Sequence, residues 1–167
     1  KYLLDCGHRR IGLIHAPLTY SVNRRRYDGY IEAITEAGLK INQAVICSSE
    51  YAIEDSMRAA QKILSKERRL TALFCTDDYK AAGAMRTAMR MGLRIPEYIS
   101  IMGHNDYDIS KITVPDIATV HLPLFALGEQ AGKIILQTIA DRSIPAQKAV
   151  LPTSIIPRGS VRDLKAP

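Results

Sequence analysis

The feature that most constrains the fold is a repeated alternation of short apolar runs with longer amphipathic segments. The apolar runs carry few polar residues and predict buried strands at residues 10–15, 44–48, 71–75 and 98–104. The segments between them place apolar residues at helical spacing and predict helices at residues 21–38, 53–66 and 77–92. This alternation favours an α/β fold in which a parallel sheet has helices on both faces.

The helix ends and the last third of the chain fit the same interpretation. Ser21 is a candidate N-cap and Gly38 a candidate stop for the first helix, while Asp77 and Gly92 frame the third. Residues 117–122 predict a further strand and residues 123–142 a long helix with proline in its first turn. Residues 148–161 contain two prolines, which indicates an edge or crossing strand.

Composition excludes several classes of protein. The 167 residues suit one domain, and 47% hydrophobic with 24% charged residues is typical of a folded, soluble chain. The net charge of +6 would suit nucleic acid, but the basic residues form no tail and no stripe interleaved with aromatic residues. No segment predicts a membrane span or a signal peptide. Cys6, Cys47 and Cys75 lack CxxC spacing, so we expect a reduced, cytoplasmic chain without membrane association.

Ligands of open α/β sheets bind beyond the carboxyl ends of the strands, which directs attention to residues 16–26, 49–53, 76–79 and 103–108. Three arginines lie in the first of these segments, and helical geometry lets only one or two of them face the crevice. We select Arg26 because a guanidinium there can bind a carboxylate, a phosphate or a pair of hydroxyls. Arg24 and Arg25 are expected to be solvated.

The second and third strand ends leave two interpretations open. Tyr51 either packs at the edge of the core or forms a flat wall for a ring-shaped ligand. Asp77 and Asp78 either stabilise only the start of a helix or, in the case of Asp77, also accept hydrogen bonds from ligand hydroxyls. Nothing in the sequence alone decides between these roles.

The fourth strand end, MGHNDYDIS, clusters polar side chains without a recognisable catalytic or metal motif. His104, Asn105 and Asp106 are adjacent, so in an extended loop they cannot converge on one ion. Acid–base chemistry by Asp106 or Asp108 has no accompanying nucleophile motif, P-loop or GxGxxG. We expect no metal, no cofactor and no catalysis; the alternative of an enzymatic role would require turnover in a hydrolase or kinase assay.

Four stretches together resemble the ligand-binding module of the lactose-repressor/galactose-repressor (LacI/GalR) family of bacterial transcription regulators. They are GHRRIGLIHAPL, RYDGYIEAITEAGL, TALFCTDDYKAAGAMRTAMRMGLRIPEYISIMGHND and VPDIATVHLPLFALGEQAGKIIL. The resemblance runs from about residue 3 to residue 157 and is specific because the stretches keep the family's order and spacing.

The resemblance implies a type I periplasmic-binding-protein-like fold, with two similar subdomains and a small effector between them. Residues 10–121 and 148–160 would form most of the C-terminal subdomain, and residues 1–9 and 122–147 would be remnants of the N-terminal one. The family's DNA-binding headpiece would be absent. We therefore expect this chain alone to bind effector weakly or not at all, to lack specific DNA binding, and to expose an apolar stripe at residues 124–139.

The resemblance also assigns site residues. Arg26 matches the arginine of the family's R-x-x-G-[aromatic] pattern, and Tyr51 matches a position where an aromatic often lies beside the effector. Asp77 stands where the family usually has Asn, and Asn105 stands where it usually has an acid. Relative to the family pattern, the acid and the amide are thus exchanged between these two sites. His104 takes the place of the usual aromatic of that loop, and Tyr20 and Val22 match variable positions that tune specificity.

The resulting hypothesis is an effector-sensing domain of a transcriptional repressor. A sugar or a purine-like molecule would be clamped by Arg26, Asp77 and Asn105 with Tyr51 as a wall. The intact protein, as a homodimer, would bind operator DNA through its headpiece. The alternative is a solute-binding protein of a sugar transporter, which shares the fold.

Overall fold

The computed structural model describes residues 1–166 and contains the predicted alternation of elements. The strands are β1 Ile11–His15, β2 Ile46–Ser48, β3 Ala72–Cys75, β4 Ser100–Met102, β5 Thr119–His121 and β6 Ser154–Ile156. The helices are α1 Tyr2–Asp5, α2 Ser21–Glu36, α3 Ile53–Lys66, α4 Asp78–Arg90 and α5 Leu124–Ala140. Short 3₁₀ turns at Gln43–Val45 and Asp108–Lys111 precede β2 and follow β4.

Four strands form a wholly parallel sheet in the order β2-β1-β3-β4, which confirms the predicted fold class. The chain runs outward from β1 in both directions, so β1 and β3 are neighbours at a switch point of the topology. The predicted fifth strand joins this sheet only through isolated parallel bridges, one of them between Met102 and Ala118. Instead, β5 pairs with β6 in an antiparallel ribbon.

Helices cover both faces of the sheet, as the apolar strands require. On one face Ile14, Leu73 and Ile101 pack with residues of α3 and α4 such as Ile63 and Met85. On the other face a second cluster joins the sheet to α1 and α2, with members Leu3, Leu4, Ile11, Leu13, Tyr30, Ile34, Ala72 and Met102. The first nine residues therefore lie against this sheet; their assignment to an N-terminal subdomain stays a prediction.

The helix ends follow the sequence signals with one exception. The Asp77 side chain caps α4 by accepting a hydrogen bond from the Lys80 backbone amide at 2.8 Å. Gly38 and Gly92 follow their helices with φ of +70° and +76°, a region that glycine enters without strain. Ser21 is not the N-cap of α2, because the helix already includes it and the capping position is Tyr20, without a side-chain bond.

Helix α5 contrasts with the other long helices because none of its residues is buried. Its exposed apolar side chains form the predicted stripe: Leu124, Phe125, Leu127, Ile135, Leu136 and Ile139. Within residues 1–166 no helix is both long and apolar enough to cross a membrane. The exposed apolar side chains of α5 form a surface suited to association with another apolar surface.

We expect this chain to self-associate through α5 as its concentration rises. Replacing Leu136 and Ile139 by lysine should weaken association by about tenfold or more, because each buried large apolar side chain contributes roughly 1.5–3 kcal/mol. Sedimentation velocity over a concentration series measures the effect. Val150→Lys, at an exposed apolar residue outside the helix, is the matched control. Equal association of both variants would show that α5 is not the contact surface.

Candidate functional site

A polar cavity of about 440 Å³ opens at the carboxyl ends of the parallel strands. Its walls come from the start of α2, the loop after β2, the start of α4 and the loop after β4. The lining residues are Ala16, Tyr20, Val22, Asn23, Arg26, Tyr51, Asp77, Tyr79, Lys80, Asn105, Tyr107 and Leu122. Five of the six residues selected from the sequence thus come together in one place, and His104 does not.

Arg26 bridges the segments that follow β3 and β4. Its Nη1 donates to the carbonyl oxygen of Thr76 at 2.5 Å, and its Nη2 donates to Asn105 Oδ1 at 2.9 Å. The guanidinium is half-buried, and this burial lowers its pKa from the ordinary arginine value. Arg24 and Arg25 are exposed, as the helical geometry predicted. Arg26 is therefore the arginine that the fold fixes in the cavity.

Asn105 is held by an unusual backbone turn. Its φ is +108° and that of Asp106 is +59°, so two consecutive residues lie at positive φ. Its amide donates to the Val120 carbonyl at 2.9 Å, and its side chain is buried. Just before this turn Gly103 packs so closely on Asp78 that a Cβ atom there would collide with the carboxylate. The turn fixes the amide oxygen of Asn105 against Arg26.

Lys80 is a residue of the cavity that sequence reasoning missed. Its side chain is only 3% exposed, and its ammonium lies 3.0 Å from Asp77 Oδ2. The same ammonium donates to the Glu50 carbonyl at 3.1 Å and lies 5.2 Å from the ring centroid of Tyr51. The available signal was a lysine three residues after a helix-starting acid, on the same helix face. Asp77 therefore faces a buried cation as well as capping its helix.

Two tyrosines stand at the mouth of the cavity. Tyr51 is 62% exposed and Tyr20 is 60% exposed, so neither belongs to the core. The Tyr51 hydroxyl accepts a hydrogen bond from Asn23 Nδ2 at 3.3 Å, and its ring covers the Lys80 ammonium. Tyr51 therefore does not pack at the edge of the core, which was one of its two interpretations. The exposed ring is free to contact a ligand.

His104 lies on the other side of Arg26, in a separate apolar cavity of about 260 Å³ beneath α2. Its neighbours there include Tyr30, Phe74 and Met102. Its Nδ1 is 3.1 Å from Asn105 Oδ1, so the Nδ1–H tautomer donates to the oxygen that Arg26 also binds. Burial, with the nearby Arg26 charge, lowers the pKa of His104 to about 4. His104 thus supports Asn105 from behind and remains neutral near pH 7.

The acids considered for acid–base chemistry lie outside the cavity. Asp106 accepts from Arg158 Nη2 at 2.6 Å and from His121 Nδ1 at 2.9 Å. Asp108 is exposed and pairs with Lys111 at 3.2 Å. Within residues 1–166 no three His, Cys, Asp or Glu side chains are grouped as metal ligands would be. Asp106 therefore has a structural role.

The buried carboxylate of Asp78 also belongs to the scaffold. It accepts hydrogen bonds from the Thr119 hydroxyl at 2.6 Å and the Tyr107 amide at 2.8 Å. Burial raises its pKa above the ordinary aspartate value, and the two hydrogen bonds oppose that shift. Asp78 thus ties the start of α4 to the loop after β4 and to β5.

Fold and cavity together define the class of protein. A doubly wound parallel sheet with a polar cavity at its switch point is the arrangement of α/β domains that bind small ligands. The periplasmic binding protein-like domain matches residues 1–161, and the chain belongs to this family.

Its relatives include transcriptional repressors. The chain is 36% identical over 148 residues to the HTH-type transcriptional repressor PurR of Haemophilus influenzae. This alignment covers 89% of this chain and 44% of that protein. It is 35% identical over 163 residues to PurR of Escherichia coli O1:K1, covering 98% of this chain and 48% of that protein. The chain spans about half the length of the curated relatives it matches.

Solved structures agree with this family membership. A LacI family transcriptional regulator from Mycobacterium smegmatis superposes with a TM-score of 0.88 at 28% sequence identity, over 97% of this chain and 60% of that one. A cellobiose complex of the transcriptional regulator CelR superposes with a TM-score of 0.91 over 95% of this chain and 49% of that one. At 24% identity, the second shows the fold alone.

Proposed function

We propose that this chain is part of the effector-sensing domain of a LacI-type transcriptional repressor and that its cavity binds a small polar ligand. The observation that carries the proposal is the convergence of Arg26, Asn105 and the Asp77–Lys80 pair at the switch point of the sheet. The repressor names of the relatives at 35–36% identity support a regulator rather than a transporter or an enzyme.

The chemistry of the cavity suits a hydroxyl-rich ring such as a sugar or a purine nucleoside. A guanidinium and an amide held side by side offer several donors and acceptors to neighbouring polar groups. Tyr20 and Tyr51 offer exposed aromatic faces on which an apolar ring face can stack. Tyr20, Arg26, Tyr51, Asp77 and Asn105 would contact the ligand directly. His104, lying behind Asn105, would act through it.

Control of DNA binding would require a second subdomain on the other side of the ligand. Residues 122–147, including helix α5 with no buried residue, would belong to the other subdomain, and the ligand would bias the angle between the two. In the complete gene product, a homodimer in the cytoplasm, DNA-binding headpieces would respond to that angle at the operator. The apolar stripe of α5 supports this assignment because it needs a partner surface.

We expect Arg26→Ala to weaken effector binding by about 10- to 100-fold, because a hydrogen bond to a charged group contributes roughly 1.5–3 kcal/mol. Calorimetric titration of sugars and nucleobases into the complete gene product measures the affinity. Arg25→Ala removes the same charge from an exposed neighbour and should leave affinity unchanged. Equal affinity of the Arg26 variant and the parent, or no heat from any ligand of the panel, would contradict the proposal.

A further inference from the structure

The charges that line the cavity do not balance. We propose that the effector supplies the missing negative charge, so that the ligand carries a carboxylate or phosphate group that Arg26 binds. This inference rests on the proposed function and names the chemical class of its ligand. It follows from where each carboxylate near the cavity is already engaged.

The hydrogen-bond partners of Arg26 are all neutral. Its two hydrogen bonds go to a backbone carbonyl, that of Thr76, and to an amide oxygen, that of Asn105. Among residues 1–166 no carboxylate lies within ion-pair distance of this half-buried guanidinium. A guanidinium carries five N–H donors, so donors remain for a further acceptor in the cavity. A partly buried cation without a counter-ion favours an anion as that acceptor.

The carboxylate of the cavity wall is already committed to another cation. Asp77 Oδ2 pairs with the buried Lys80 ammonium at 3.0 Å, and Asp77 Oδ1 caps α4. The Lys80 ammonium is itself surrounded by Asp77, the Glu50 carbonyl and the Tyr51 ring. Asp77 and Lys80 therefore cancel each other, and the positive charge of Arg26 is left over.

The other acids of this end of the sheet do not pair with Arg26. Asp106 binds Arg158 and His121, outside the cavity lining. Asp78 is fully buried behind Gly103 and is held by Thr119 and a backbone amide. The Glu50 side chain is exposed and makes no ion pair in the described part of the chain. None of these carboxylates forms an ion pair with Arg26, although the charges of Asp77 and Asp78 favour its charged form from a distance, so the ligand is left as the counter-ion that Arg26 would contact directly.

The first test uses calorimetry on the complete gene product with sugars in matched pairs. Glucose is compared with glucuronate and with glucose 6-phosphate, and galactose with galacturonate. We expect an anionic member to bind about 100-fold more tightly than its neutral parent, as a charge-assisted hydrogen-bond pair would. Comparing the two uronates with glucose 6-phosphate shows whether the bound group is a carboxylate or a phosphate.

The second test moves the counter-ion into the protein. Asn105→Asp places a carboxylate where the amide oxygen now lies 2.9 Å from Arg26 Nη2. We expect the preference for an anionic sugar over its neutral parent, measured as the ratio of the two affinities on the same variant, to fall about 100-fold. Asn42→Asp adds the same charge at an exposed capping residue, where either side chain can accept from the Ala44 amide, and should change neither affinity.

Thermal unfolding without ligand tests the same inference whichever ligands are tried. If Arg26 lacks a counter-ion, Asn105→Asp should raise the melting temperature of the chain at pH 7 by about 3 °C relative to Asn42→Asp. A lower or unchanged melting temperature would count against the proposal. A neutral sugar or nucleobase that binds the parent protein as tightly as any anion would also count against the proposal. In that case the proposed function would still stand. If no ligand of either class binds, the proposed function fails and this inference with it.

Discussion

Replacing Arg158 with methionine will lower the free energy of unfolding by about 3 kcal/mol, the range found when one partner of a buried ion pair is removed. The Arg158 and Asp106 side chains are only 15% and 12% exposed and lie 2.6 Å apart. Arg158 also donates to Ser110 Oγ at 2.8 Å and to the Ile117 carbonyl at 2.9 Å. Methionine keeps the packing volume but leaves Asp106 with His121 as its remaining basic partner.

Chemical denaturation of the parent and variant at pH 7 gives the difference. The control is Lys111→Met, which removes a cation from the ion pair with Asp108 at the surface. Exposed pairs contribute roughly 0–1 kcal/mol, so this variant should stay within about 0.5 kcal/mol of the parent. If Arg158→Met is no more destabilised than the control, Asp106 does not depend on its buried partner, and the structural role assigned to that carboxylate is wrong.

Lowering the pH from 7 to 4.5 should destabilise the fold through His104. Its pKa is about 4 in the folded chain, mainly because of burial and then because of Arg26, against 6.5 for an ordinary histidine. The unfolded chain therefore binds a proton that the folded chain rejects, and stability falls as pH drops from about 6.5 towards 4. A shift of this size corresponds to about 2 kcal/mol by pH 4.5. Burial also lowers the pKa of His8 and His15, which adds to the loss in the same direction.

His104→Phe isolates this effect because phenylalanine fills the apolar cavity without titrating. The loss of stability between pH 7 and 4.5, measured by urea unfolding at each pH, should shrink by about 2 kcal/mol in the variant. Because the pKa of Asp106 is lowered, the stability that its ionised carboxylate contributes is lost only as pH falls below about 4. The effect of Asp106 therefore lies at lower pH than the effect of His104. An unchanged pH profile in the variant would mean that His104 is solvated when the chain is folded.

Most of the fold was predictable because the apolar pattern of each element is local. Strands β1 to β5 and helices α2 to α5 lie within a few residues of their predicted bounds, and α3 spans the predicted residues 53–66. Only Ser154–Ile156 of the predicted extended segment 148–161 is a strand. The pairing of β5 with β6 was not predictable, because the partners are separated by the whole of α5 and the two strands carry no turn signal. Non-local pairing depends on the path of the chain, which periodicity does not contain.

The cavity was predictable where one helix or one strand end decides the position of a side chain. Helical geometry selected Arg26 over Arg24 and Arg25, and the structure exposes those two. Lys80 was missed because its burial depends on Glu50 and Tyr51, which another strand end supplies. His104 was expected in the cavity, and it lies behind Asn105 because the backbone turns through positive φ at Asn105 and Asp106.

The loop after β4 also contacts the chain segments on either side of α5. His121, at the end of β5, bridges the backbone of Asn105 and the carboxylate of Asp106, and Arg158, just after β6, binds the same carboxylate. The strands that enter and leave α5 are thus anchored beside a residue of the cavity. A 17-residue helix is about 25 Å long, so a tilt of about 5° at this loop moves its far end by about 2 Å. A ligand that displaced Asn105 would therefore act on α5 through these two strands, and the length of the helix would enlarge the displacement at its far end.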